Sequence, residues 1–171
     1  MARSGIVHGT IGTVLTLWLA IGGLGCAIPG NPVEPSSMNG DPGTIAAAVD
    51  VCVSTTNDLR ASVGDPPLAR SARIDAFSAE AARVDGEAHQ AHKHFLATNG
   101  GPGIATAENV IPWWRISDWG SVDKIVRKGV AQMWAEGPSG YHYVNMRGRY
   151  TEMGCGIAVL NGEVTVSQNF K

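Results

Sequence analysis

The C-terminal residues form the pattern that most constrains the fold of this chain. Two apolar segments, 155–160 and 163–170, flank the dipeptide Asn161-Gly162, which is typical of a two-residue β-hairpin turn. A hairpin alone is marginally stable in water, so its apolar side chains need another layer to cover them. The sequence therefore predicts a sheet covered by helices.

Three segments have the apolar spacing of amphipathic helices and could supply this cover. The first spans about 44–62 with Thr44 as its N-cap, the second runs without interruption over 71–97, and the third spans about 121–137 and ends at a Gly-Pro pair. Between the last two, the segment 104–111 predicts a brief strand or a tight turn. Helices and a terminal antiparallel hairpin in one domain indicate an α+β fold, an α-β-α sandwich with three main helices.

The N-terminus, 1–26, has the features of an export signal. A weakly basic start precedes an uncharged apolar run over 11–24, which is short for a membrane span of roughly 20 residues. An uncleaved anchor helix is the alternative. The segment ends in Gly-Leu-Gly-Cys and resembles a bacterial lipobox, in which Cys26 would be lipidated and would tether the protein to a membrane, although glycine stands where leucine is usual. Either interpretation places the domain outside the cytoplasm.

The remaining organisation follows from composition. Residues 27–43 are rich in Pro, Gly, Ser and Asn and predict a flexible linker, which leaves 44–171 as one domain. The formal net charge is −2 and the basic residues are scattered, so the chain lacks the positive patch that nucleic-acid binding needs.

The three cysteines suggest a disulfide in an oxidising compartment. If Cys26 is acylated, Cys52 and Cys155 remain as an even pair that could be joined, whereas without lipidation one thiol is left over. Cys155 could also be a nucleophilic thiol near His142, but a structural role is the stronger interpretation.

Three of the five histidines lie close together at the end of the second predicted helix. At about 100° per residue, His92 falls about 60° from the centre of the apolar face and His94 about 100° away on the other side. His92 is therefore better placed to face a cleft. The alternative is that all three, including His89, are solvated side chains at a helix end.

Three further residues have side chains that could complete a polar site. Glu108 stands within an apolar segment, where a carboxylate is costly to bury unless it is paired. Glu136 and His142 flank Gly-Pro and Ser-Gly turn signals, so their side chains could converge across a bend. Each could instead be solvated. Imidazole and carboxylate groups are both zinc ligands, so two histidines and two glutamates could bind a divalent metal such as zinc.

Seven short motifs follow one another along 45–171. They are NDLR with PPL at 57–68, a histidine closing the second helix, AENV at 107–110, WAE at 134–136, GYHYVNM at 140–146, YTEMGCG at 150–156 and VSQNF at 166–170. Each is a weak match alone. Together and in this order they resemble the CAP superfamily, the cysteine-rich secretory, antigen 5 and pathogenesis-related 1 proteins, in its bacterial form.

The resemblance implies an α-β-α sandwich with a central cleft lined by two histidines and two glutamates. Carried over to this chain, these are His92 or His94, Glu108, Glu136 and His142. Ala107 departs from the glycine that the family often has before Glu-Asn, and the chain has fewer cysteines than eukaryotic members. In the family the histidines can hold zinc, and lipid or sterol binding, signalling and occasional proteolysis are attributed to different members.

The function predicted from the sequence is therefore an extracytoplasmic binding module, either secreted or anchored as a lipoprotein. Its cleft would hold zinc, and its partner would be an unidentified extracellular lipid or protein. The alternative is a metal-dependent hydrolase or peptidase in which one glutamate is a general base. A third interpretation is an adhesive module that uses exposed Trp113 and Trp114.

Overall fold

The computed structural model describes residues 41–171 and contains, in that range, six α-helices, one short 3₁₀ helix and four strands. The predicted export signal, the lipidation of Cys26 and the linker up to residue 40 lie outside the described residues. The elements are α1 (Pro42–Ser62), β1 (Ala69–Arg70), α2 (Ala72–Ala88), α3 (Lys93–Thr98), β2 (Ala107–Arg115), α4 (Ile116–Trp119), α5 (Val122–Ala135), a 3₁₀ turn (Gly137–Ser139), α6 (Tyr141–Met146), β3 (Glu152–Leu160) and β4 (Glu163–Phe170).

The predicted C-terminal hairpin is confirmed and forms the centre of the sheet. Strands β3 and β4 pair in antiparallel register around Asn161 and Gly162, both of which have positive φ angles as this turn requires. The sheet order is β1-β3-β4-β2, with β2 antiparallel to β4 and the two-residue β1 parallel to β3. Strand β2 is therefore an edge strand.

Helices cover both faces of this sheet, which confirms the α-β-α sandwich. On one face α2 lies directly on the backbone of β3. The two backbones are so close that a Cβ atom at Gly154 or Gly156 would collide with α2. On the other face, α1 and α5 pack on the side chains of β3 and β4. Side chains alternate between the faces of a strand, so Cys155 points away from α2 and forms a disulfide with Cys52 of α1.

The start of α1 differs from the sequence prediction, which had Thr44 as the N-cap. Asp41 is the N-cap, and its carboxylate accepts a hydrogen bond from the Thr44 backbone N–H at 3.0 Å. Pro42 occupies the first turn, where a missing N–H costs nothing. Two residues assigned to the linker therefore belong to the helix, which ends at Ser62 as predicted.

The uninterrupted helix over 71–97 is a wrong prediction. Helix α2 ends at Ala88, and His89 and His92 both adopt the left-handed conformation before α3 begins at Lys93. The buried Asp85 carboxylate accepts hydrogen bonds from the backbone N–H groups of His92 and His94. The Asp85 side chain thus replaces the carbonyl acceptors that a continuous helix would supply. The apolar periodicity of the sequence does not show where a side chain takes over these backbone hydrogen bonds.

The other two predicted elements agree with the structure in type, whereas the short helices α4 and α6 were not predicted. The segment expected to be a brief strand or tight turn is the nine-residue β2. The third helix is α5, preceded by Ser121 as predicted, although the Ser121 hydroxyl bonds to the Asp123 carboxylate and not to the helix backbone. None of the helices among the described residues is long and apolar enough to cross a membrane.

Candidate functional site

His92 and Glu108 form the first half of the candidate site. The His92 Nδ1 atom lies 3.0 Å from Glu108 Oε1, and since a carboxylate only accepts, Nδ1 carries the proton. The Glu108 side chain is 1% exposed and the His92 side chain is 37% exposed. Glu108 therefore lies beneath a partly open imidazole and holds it by one nitrogen.

The buried Glu108 carboxylate has partners for both oxygens. Oε2 accepts hydrogen bonds from the Ser167 hydroxyl at 2.6 Å and from the Asn169 amide at 3.2 Å. These two residues belong to β4, which pairs with β2 and presents them on the face that α2 covers. A carboxylate this deeply buried is tolerated because both of its oxygens accept hydrogen bonds.

The position of His92 depends on Asp85. The two Asp85 oxygens accept hydrogen bonds from the His92 and His94 backbone N–H groups at 2.7 and 3.0 Å. Burial raises the pKa of the Asp85 carboxyl group, and these two hydrogen bonds partly oppose that increase. The hydrogen bond to Glu108 raises the pKa of His92, and burial opposes that increase. The His92 cation is therefore favoured by its partner.

His142 and Glu136 form the second half. His142 Nδ1 lies 2.5 Å from Glu136 Oε1, and the two side chains are 33% and 37% exposed. The 3₁₀ turn reverses the chain between α5 and α6, so the predicted convergence across a bend occurs, although His142 lies in a helix. A Cβ atom at Gly140 would collide with the Glu136 side chain, so glycine is needed there.

A network of amide side chains joins these two halves. Asn109, next to Glu108 on β2, donates to the His142 carbonyl at 3.1 Å and to the buried Gln168 side chain. Asn145 of α6 donates to Asn109 Oδ1 at 2.9 Å and to the Glu108 carbonyl at 3.3 Å. These bonds fix α6 against the edge strand, so the position of His142 is tied to that of Glu108.

The two pairs do not form a preformed metal centre with three or more side-chain ligands. Within residues 41–171, no group of three or more His, Cys, Asp or Glu side chains is arranged to hold a metal ion. The Nδ1 atom of each paired histidine already bonds to a glutamate, and within the same range neither Nε2 atom is hydrogen-bonded. In each pair the carboxylate orients the imidazole through Nδ1, which leaves Nε2 as the ring nitrogen that could accept an external ligand.

The other predicted site residues have different surroundings. The His94 ring packs against Phe77 with centroids 5.0 Å apart, so the structure brings His92 and not His94 to Glu108. His89 is exposed and lies 2.7 Å from Glu163. The disulfide is present, so Cys155 is no thiol nucleophile in this structure.

Three residues of the site were missed by the sequence interpretation. Asp85 positions His92, while Asn109 and Asn145 connect the halves. The asparagines lie in motifs that carried the resemblance, AENV and GYHYVNM, and a polar residue following Glu108 was a signal that could have been used. Asp85 lay within the apolar pattern of a long helix and gave no separate signal.

The α-β-α sandwich with its C-terminal hairpin is the fold of a CAP-type protein. The model of the CAP family, described as the cysteine-rich secretory protein family, matches residues 53–170, so the chain belongs to this family. No curated protein sequence matches the chain significantly.

Two solved structures match this chain. Na-ASP-1 is 16% identical with a TM-score of 0.53, and the match covers 72% of this chain and 38% of that one. A cysteine-rich secretory protein, SAV1118 from Staphylococcus aureus subsp. aureus Mu50, is also 16% identical with a TM-score of 0.45, and the match covers 82% of this chain and 40% of that one. This chain therefore matches less than half the length of either protein.

Proposed function

We propose that this chain is an extracytoplasmic CAP-type binding module whose cleft holds a divalent metal such as zinc. The observation that carries the proposal is the pairing of His92 with Glu108 and of His142 with Glu136 through Nδ1 in both cases. A carboxylate on one ring nitrogen fixes the tautomer and makes the other nitrogen a better metal ligand.

The proposal changes the roles expected of the four residues. His92 and His142 are the ligands, through Nε2. Glu108 is unsuited to direct coordination because both its oxygens are used inside the protein. Glu136 orients His142 and is more accessible. Two imidazoles leave coordination positions for an external ligand, which is how the module would bind a lipid or protein partner.

An extracytoplasmic location agrees with the family and with the disulfide between Cys52 and Cys155, since such bonds persist in oxidising compartments. Secretion through the N-terminal signal and tethering through a lipidated Cys26 are part of the proposal. Mass spectrometry of the mature protein from its membrane fraction tests both, because acylation would add the mass of the lipid to a chain beginning at Cys26.

Zinc titration by calorimetry on the full chain tests the site. We expect saturable one-site binding that is lost in His92→Ala and in His142→Ala and is retained in His94→Gln. The last is a matched control, because His94 is two residues from His92 but packs on Phe77. Absence of binding by the folded wild type, or equal loss in His94→Gln, would contradict the proposal.

A zinc-dependent hydrolase is the second candidate, favoured by the exposure of Glu136, a carboxylate that could accept a proton. Incubation of the zinc-loaded chain with a mixture of unstructured peptides separates the candidates. Cleavage that is lost in Glu136→Gln, with zinc binding retained, would establish the hydrolase. Zinc binding without cleavage is the outcome expected of a binding module.

A further inference from the structure

A groove lies along the exposed edge of β2, beyond the paired histidines and glutamates. It has a volume of about 400 Å³, and we call it the tryptophan groove. The residues that define it are Pro112, Trp113, Trp114, Arg115, Asp118, Trp119 and Glu163. Three of the five tryptophans in the chain thus line one surface groove.

A β-bulge produces this cluster. Ile111 pairs with Val166 and Trp114 pairs with Val164, so two residues of β2, Pro112 and Trp113, lie opposite the single residue between them on β4. The extra residue keeps Trp114 on the same face as Ile111, where it packs on the core. Trp113 consequently emerges on the opposite face, beside α2.

Trp113 has a backbone conformation that its side chain disfavours. Its φ angle is +34°, which is an outlier for a bulky residue and would be readily adopted by glycine. Its ring lies edge-on to His89 with centroids 5.2 Å apart, and His89 bonds to Glu163 at 2.7 Å. A large aromatic ring is therefore kept at a strained position among polar groups, as is common at binding sites.

The remaining walls combine flat aromatic surface with hydrogen-bonding groups. Trp114 and Trp119 are stacked with centroids 4.9 Å apart and an interplanar angle of 17°. Arg115 lies 3.8 Å from Glu163, so their charges partly compensate, while the exposed Asp118 carboxylate bonds only to the neighbouring Ser117 hydroxyl within the described residues. The groove thus offers aromatic faces, donors and acceptors with little net charge.

We propose that the tryptophan groove binds a neutral oligosaccharide. A sugar ring has an apolar face of C–H groups, which packs on an aromatic ring, and a rim of hydroxyl groups, which bond to carboxylate and guanidinium groups. A peptide added to the sheet edge fits less well, because Pro112 lacks an N–H and the bulge interrupts the ladder.

The shape of the surrounding surface favours an oligomer over a single sugar. An adjoining cavity of about 170 Å³ shares Pro112 and Trp114 with the groove and extends to Glu136 and His142. The two cavities adjoin at Pro112 and Trp114, so together they have room for more than one sugar ring. The three groove tryptophans lie outside the proposed zinc site, but the adjoining cavity includes Glu136 and His142 of that site, so sugar binding is tested with metal removed.

Calorimetric titration of the full chain in the presence of EDTA tests this proposal. The probes are the β-1,4-linked tetramer of N-acetylglucosamine, cellotetraose and maltotetraose, and choline serves as a cationic comparison. We expect saturable binding of at least one tetrasaccharide, weakened at least tenfold in Trp113→Gly and weakened also in Asp118→Ala. The glycine variant suits the positive φ angle, so its thermal stability should be maintained.

Asn99→Gly is the matched control, since Asn99 also has a positive φ angle but closes α3 outside the groove. This variant should bind the sugar as the wild type does. Failure of all three tetrasaccharides to bind, or binding unchanged in both Trp113→Gly and Asp118→Ala, would overturn the proposal. Binding of choline alone would also overturn it and would identify the groove as a site for organic cations.

Discussion

Glu108 is the residue on which the candidate site depends most. Its carboxylate can be buried in β2 because β4 supplies Ser167 and Asn169 while the α2–α3 connection supplies His92. The partners come from two parts of the chain, β4 and the α2–α3 connection. The side chain therefore connects the sheet to the loop that carries the first histidine, and its charge determines how readily that histidine is protonated.

Replacement of Glu108 by glutamine tests this electrostatic role. The hydrogen bond to Glu108 is the main cause of the raised pKa of His92, so this pKa should fall in Glu108→Gln. NMR titration of the metal-free chain measures the change. Glu152→Gln, at the start of β3, is the control and should leave the His92 pKa unchanged. An unaltered His92 pKa in Glu108→Gln would show that the pair is not formed in solution.

The same pair predicts a pH dependence of stability. Because the pKa of His92 is raised by folding, its contribution stabilises the protein fully below the ordinary histidine pKa of about 6.5 and is lost as the pH rises through the raised value. The difference in the free energy of unfolding between wild type and Glu108→Gln should therefore become smaller over that pH interval. Urea unfolding at a series of pH values measures it.

At the scale of elements, the break between α2 and α3 decides where His92 lies. A continuous helix would have carried His92 and His94 on its own surface, whereas the left-handed residues His89 and His92 redirect the chain toward β2. Asp85 replaces the lost backbone acceptors for His92 and His94. The connection is therefore ordered by one buried side chain.

Asp85→Ala should destabilise the protein and misplace His92. It leaves two backbone N–H groups without their acceptor, which should cost about 1–3 kcal/mol because those groups are only partly buried. Urea unfolding measures the loss, and the His92 pKa should move as well. Asp58→Ala, an exposed change on α1, should alter stability by less than about 0.5 kcal/mol. Equal stability of the two variants would contradict this role.

At the scale of the whole described domain, α1 and the sheet are joined covalently. The disulfide between Cys52 and Cys155 spans 103 residues of sequence and is buried in the core that α1 and α5 form with β3 and β4. The α2 face has no such bond among the described residues and relies on the close approach of α2 to Gly154 and Gly156. The two faces are thus stabilised by different means.

The double variant Cys52→Ala, Cys155→Ala should lower the free energy of unfolding by about 3–5 kcal/mol, because it frees a long loop in the unfolded chain and removes two buried sulfur atoms. Urea unfolding with and without a reducing agent provides an internal control. Reduction should destabilise the wild type and leave the double variant unchanged. Equal behaviour of the wild type in both conditions would show that the bond is not present in the purified protein.

The sequence alone determined the elements whose signals are local. The Asn161-Gly162 turn, the apolar periodicity of α5 and the order of motifs were sufficient to predict the hairpin, the sandwich and the family. Glu108, Glu136, His142 and the helix-two histidines were selected as candidate site residues, because a polar residue in an apolar segment or beside a turn is visible in the sequence.

Only the tertiary structure decided which of these residues meet. His92 was preferred over His94 on the assumption of a continuous helix, and the structure brings His92 to Glu108 by breaking that helix. The break depends on Asp85, and the link between the halves depends on Asn109 and Asn145. These hydrogen bonds are directional and join residues distant along the chain or buried within a periodic pattern, so no local propensity encodes them.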